Sequence, residues 1–113
     1  MTIGDIVRVN DPGKRFGDYL DWVERNAPDY TSLFINQTGF DTNSAAYAVG
    51  EVVAIAPHGG DIRAASRYGT LALIMTNIHG VDCAMLFSEK ALSVIGHAAE
   101  PITEETLFMI LTA

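Results

Sequence analysis

A small β-rich domain carrying a helical insertion is the fold class this chain predicts, and three stretches predict it. Val49 to His58 (V-G-E-V-V-A-I-A-P-H) is a β-branched run entered through Gly50 and closed by Pro57, the composition of a strand between breakers. Gly4-Asp5-Ile6-Val7-Arg8-Val9 is a second Gly-led run of the same kind. Thr70 to Asn77 and Val81 to Phe87 flank His79-Gly80, which makes them a hairpin.

Taken in order, Ile6 to Val9 forms the first strand, and Asn10-Asp11-Pro12-Gly13 stops it with turn chemistry. A helix follows. Phe16, Tyr19, Leu20, Val23 and Ala27 recur at helical spacing on one stripe, with Asp18, Asp21 and Arg25 opposite and Pro28 as the limit. Asp18 falls in its first turn, where the dipole favours an acid, and Asp21 to Arg25 is the favourable order of an i, i+4 pair. Residues 29 to 35 add a short helical turn, and polar, aperiodic 36–44 reads as a surface loop. Strand two covers Val49 to Ala56, and the segment from Pro57-His58-Gly59-Gly60 to Tyr68 reads as a mobile loop.

The hairpin is apolar on both faces, so something must cover its outer face, and the helix is one available cover. Ser88-Glu89-Lys90-Ala91 then makes a turn before the short strand Leu92 to Ile95, where SH3-like barrels place a 3₁₀ turn. The prediction is therefore an SH3-like barrel of about five strands over residues 1–96, with the helical insertion at about 14–35. Residues 97–113 form an apolar extension that packs on the barrel or on another copy. Its Pro101-Ile102-Thr103-Glu104-Glu105 starts like a helix, which the spacing of Leu107, Ile110 and Leu111 favours, while Thr106 to Thr112 also fits a buried strand.

The chain has 113 residues, 49% apolar and 19% charged, which is one globular domain burying roughly two thirds of its unfolded surface. Fourteen acids face seven bases. That balance repels a phosphate backbone, so binding to duplex nucleic acid is not expected, and it suits docking on a basic protein surface. Cys83 is the only cysteine, which excludes an intrachain disulfide and fits a reducing compartment. The first residues lack the basic and apolar pattern of a signal peptide. The apolar run Leu107 to Leu111 is far short of the roughly 20 residues that span a bilayer. A cytoplasmic location without membrane contact is expected.

Asn10-Asp11-Pro12-Gly13, then Tyr19 with Asp21-Trp22 and Asn26-Ala27-Pro28, then Val52-Val53-Ala54-Ile55-Ala56-Pro57-His58 resemble a family of small uncharacterised bacteriophage and prophage proteins. The resemblance covers roughly residues 4–95. It implies a small barrel with a helical insertion and an accessory role inside a bacterial host, with no activity to carry over. The chain departs from that family in a longer 36–47 loop and in the segment after Gly96. Gly4-Asp5-x-Val7 with Val49-Gly50-Glu51-Val52-Val53 is also similar to the KOW motif of ribosomal and elongation proteins. There the two halves nearly adjoin, whereas about forty residues separate them here, and the acidic charge opposes RNA contact.

Candidate site residues fall into two sets. His58, Arg63 and Arg67, with Lys14 and Arg15, concentrate five of the ten basic or imidazole side chains in two connections. If these meet, guanidinium groups beside the Gly59-Gly60 backbone bind a nucleotide-like anion; otherwise they are solvated charges. Asp18 and Asp21 on the helix, Glu104, Glu105 and Phe108 in the extension, and Trp22 on the helix flank form a partner-facing set. Tyr19, Trp22 and Tyr68 also suit an aromatic peptide groove, although the helical wheel favours core packing. His79, Asp82 and Cys83 are metal-ligand types without a metal-ligand spacing, so no metal or cofactor is expected. No Gly-x-Ser-x-Gly, P-loop, His-Glu-x-x-His or dinucleotide fingerprint occurs. The expected function is non-enzymatic: an accessory protein that binds and modulates a host protein. The alternatives are a sponge for a small anionic ligand and a KOW-like nucleic-acid module.

Overall fold

The computed structural model describes residues 1–12, 15–35, 45–60 and 63–97, without the side chains of residues 64 and 66. The strands are β1 (Asp5–Val9), β2 (Val49–Ala56), β3 (Leu71–Ile78), β4 (Val81–Ser88) and β5 (Leu92–His97). They form one antiparallel sheet in the order β4-β3-β2-β1-β5. Helix α1 (Leu20–Asn26) and a 3₁₀ helix (Pro28–Leu33) lie between β1 and β2. Helix α2 (Arg63–Tyr68) precedes β3, and a 3₁₀ turn (Glu89–Ala91) joins β4 to β5. This mainly β chain with helical pieces has the strand order of an SH3-like barrel.

Two cores explain the architecture. Val7, Val9, Val52, Ala72, Ile74, Cys83, Met85, Phe87 and Leu92 come from all five strands and share one buried cluster. Adjacent strands lie roughly 4.8 Å apart, so a flat five-stranded sheet would hold β4 and β5 too far apart to meet in one core. The sheet is therefore rolled. A second cluster lies on the outer face of β2, β3 and β4, where Ala54, Ala56, Leu71, Leu73, Ala84 and Leu86 meet Trp22, Val23, Ala27, Phe34 and Ala65. The predicted helical cover of the hairpin is this layer, and it accounts for burial on both faces of β3 and β4.

A bulge switches β2 between the two cores. Val52 opposes Ile74, but Ala54 opposes Leu73, which leaves Val53 as an extra residue. Val52 thus points into the barrel while Val53 and Ala54 both serve the helical layer. A second shift puts Ile6 opposite Gly96 but Val7 opposite Val94, so Ile95 is the extra residue on β5. The β3–β4 connection is a two-residue turn in which His79 (φ 52) and Gly80 (φ 83) are both left-handed, the type that matches the strand twist. Asn77 braces it, its Oδ1 accepting from the Gly80 N–H at 2.9 Å and its Nδ2 donating to Asp82 at 3.0 Å.

Three boundaries differ from the expectation. Helix α1 starts at Leu20 rather than near Phe16, because the Phe16 N–H donates to Leu86 O at 2.8 Å and holds that stretch along β4. Asp18 therefore precedes the helix. The predicted loop before Tyr68 contains α2, since Ala65 buries its methyl in the outer core and its carbonyl accepts from the Gly69 N–H. Strand β5 runs two residues further, to His97. The 36–44 loop and residues 98–113 of the extension lie outside the described residues.

Candidate functional site

The insertion sorts its side chains by face. Trp22, Val23, Ala27 and Phe34 are buried against the sheet, with Tyr19, Leu20, Tyr30 and Leu33 packed beside them. Asp18, Asp21, Glu24 and Asp29 are all exposed. Residues 18–29 carry these four carboxylates and one base, Arg25, whose Nε donates to the Asp21 carbonyl at 3.3 Å. Packing thus fixes the ridge from within and turns its charge outward.

Trp22 leaves the partner-facing set. Its side chain is only 5% exposed, because the buried face of α1 is rotated toward it relative to the stripe drawn from Phe16 to Ala27. Asp18 and Asp21 keep accessible carboxylates, while Glu104, Glu105 and Phe108 lie outside the described residues. Of the aromatic groove residues, Trp22 is buried, Tyr19 packs beside the outer core and Tyr68 is exposed, with Phe16 6.5 Å from Tyr19 and 5.6 Å from Tyr68 between ring centroids.

The basic set is partly brought together. His58 Nδ1 lies 3.0 Å from the carbonyl of Ala65 on α2, and its backbone N–H donates to Thr70 Oγ1 at 3.3 Å. Arg63 and Arg67 are exposed one helical turn apart on α2, with the Arg67 guanidinium 5.3 Å from the Tyr68 ring centre. Arg15 serves a different purpose. It bridges to Phe87 on β4, and its Nη1 donates to Ile35 O at 2.7 Å. Burial lowers its pKa, opposed by the nearby Asp18 charge. Lys14 lies outside the described residues.

Sequence reasoning missed a polar corner where β1 meets β5. Asp5 is 3% exposed and accepts hydrogen bonds from the Thr2 N–H at 2.9 Å and the Thr2 hydroxyl at 3.0 Å. His97 Nδ1 lies 2.6 Å from its Oδ1. The Thr2 backbone bond lowers the Asp5 pKa most, burial opposes it, and the His97 contact lowers it further. The available signal was Asp5 breaking the inward alternation with Val7 and Val9 in a strand whose partner ends in histidine.

His79 and Asp82 sit at the hairpin tip. Cys83 is buried in the barrel, which raises its pKa, with Asp82 adding to the rise. Among the described residues no group of three or more His, Cys, Asp or Glu side chains is placed to hold a metal ion, and no helix is long and apolar enough to cross a membrane. Comparison with known protein families, curated proteins and solved structures finds no match to this chain.

Proposed function

We propose that the protein is a non-enzymatic accessory protein that docks its acidic insertion on a basic face of another protein and thereby modulates it. The observation that carries this reading is the division of the insertion: its apolar side chains are spent on the sheet, and Asp18, Asp21, Glu24 and Asp29 stand in water. Such a ridge speeds encounter with a basic surface and rejects polyanions. The resemblance to bacteriophage and prophage proteins makes a bacterial host protein, in the cytoplasm, the proposed partner.

The test is capture from a bacterial lysate with the parent protein and with Asp21→Lys/Glu24→Lys, both sites being exposed and of little weight in stability. One host protein retained by the parent at low salt, and lost with the variant and at high salt, is the expected result. The same proteins retained by both would overturn the reading. Salt-sensitive binding of the purified protein to random-sequence duplex would overturn it in favour of the KOW-like alternative.

A second reading has its own observation, the placement of Arg63 and Arg67 one turn apart on α2 with His58 held to the same helix. Two guanidinium groups so spaced suit a phosphate-bearing small molecule. A nucleotide panel should raise the melting temperature, and Arg63→Ala/Arg67→Ala should abolish the rise without unfolding the protein. No rise with the parent protein would retire this reading.

A further inference from the structure

A turn and two hydrogen bonds fix His58. Pro57 O accepts from the Gly60 N–H at 3.0 Å and Gly59 is left-handed, which puts His58 at a central position of a tight turn. Its backbone N–H donates to Thr70 Oγ1 at 3.3 Å, and its Nδ1 lies 3.0 Å from the carbonyl oxygen of Ala65. A carbonyl oxygen only accepts, so the proton of the neutral ring is on Nδ1 and the lone pair is on Nε2. His58 is exposed. In its neutral form it therefore offers an anion no donor at Nε2, and offers a phosphorus centre a nucleophile.

The surroundings of this ring set it apart from the other two histidines. Ala65 lies between Arg63 and Arg67, which are exposed one turn apart on α2. The Arg67 guanidinium is 5.3 Å from the centre of the Tyr68 ring, a contact that restrains it, and that ring is 5.6 Å from Phe16. His97 instead has Nδ1 2.6 Å from the Asp5 carboxylate, whose charge opposes an incoming phosphoryl group. His79 is in the hairpin turn beside the Asn77–Asp82 pair.

We propose that His58 is a phosphoryl acceptor, modified on Nε2 by a small phosphoramidate while Arg63 and Arg67 hold the phosphoryl oxygens. This rests on the anion-binding reading of α2 given above and adds a covalent step to it. The Nε2 lone pair forms the new N–P bond as the P–N bond of the donor breaks. The protonated donor nitrogen leaves as a neutral amine with that electron pair, and Nδ1 keeps its proton on the Ala65 carbonyl. One N–P bond replaces another, so no further reactant enters. Such transfer asks the protein for positioning and charge stabilisation, which the ring held by Ala65 and the two guanidinium groups supply.

The test treats the full chain with phosphoramidate at neutral pH and follows each histidine by mass spectrometry of peptides prepared without acid, which would cleave the N–P bond. His58 should be labelled about tenfold or more faster than His79 or His97. Arg63→Ala/Arg67→Ala should bring it down to the rate of His79 with little change in the urea midpoint, both sites being exposed. Equal rates at the three histidines of the parent protein would overturn the proposal, and so would a preference for His58 that survives the loss of both arginines. The nucleotide panel described above reads the anion site separately. A rise in melting temperature without preferential labelling would overturn the covalent step and leave the anion reading standing, whereas neither a rise nor a preference would retire both.

Discussion

At the residue scale, close backbone approach and a buried carboxylate set the tightest constraints. A Cβ on Gly50 would lie 2.6 Å from Met75 O and 3.1 Å from the Thr76 Cβ, and neither neighbour can retreat while β2 and β3 stay paired. Gly50→Ala should therefore cost about 1–3 kcal/mol by overpacking, read as a lower urea midpoint with an unchanged slope. Asp5 makes a different prediction. Its pKa is held below the ordinary carboxylate value, chiefly by the Thr2 N–H, so it contributes stability above the unfolded-state pKa, which is lost as pH falls through the lower folded value. Urea midpoints should drop with acidification below about pH 4, and Asp5→Asn should lower the neutral midpoint and flatten that drop. An unchanged acid limb in the variant would show that Asp5 is not the responsible group. Gly50 was legible as a strand entrance, because glycine marks close approach. Asp5 was not, since the need for a buried acid arises only when Thr2 and His97 converge from opposite ends of the chain.

At the scale of elements, local chemistry reads well where a segment's neighbours are its own continuation. Strand β2 runs from Val49 to Ala56, the bounds its glycine and proline imply, and His79-Gly80 sits in the turn its residues demand. The helical pieces were less legible because they answer to the sheet. Phe16 belongs to the helical stripe by spacing but spends its N–H on Leu86, and Trp22 turned inward once α1 was shortened and rotated. A ring of that size in the outer core should cost about 3–5 kcal/mol when replaced by alanine. As the only tryptophan, Trp22 also reports on its own environment: native emission should be blue-shifted and resist acrylamide quenching, with both properties lost on unfolding. Red-shifted, quenchable native emission would contradict the helical layer described above. α2 escaped notice because Ala64-Ala65-Ser66 has too little apolar periodicity to announce a helix, although Ala65 packs into the outer core.

At the scale of the whole molecule, the rolled sheet buries an apolar cluster on each face, and the proposed function turns on the charge arranged outside them. The excess of seven acids over bases was plain in the composition. That four of those acids stand on one packed ridge became visible only when the inward side of α1 was known, and the described basic residues are scattered, with Arg8 on β1, Arg15 at the covered edge of β4, Arg25 on the ridge, Arg63 and Arg67 on α2 and Lys90 in the last 3₁₀ turn. The account rests on that ridge as the surface that finds a partner. The most direct test is the association rate of the purified protein with the proposed partner, taken from the capture experiment above, followed from low to high ionic strength for the parent and for Asp21→Asn/Glu24→Gln/Asp29→Asn. Attraction between opposite charges predicts a rate that falls about tenfold or more with salt for the parent. For the neutralised variant it predicts a slower rate with a flatter salt dependence. Association that is indifferent to salt, or equally fast in the two proteins, would contradict the account.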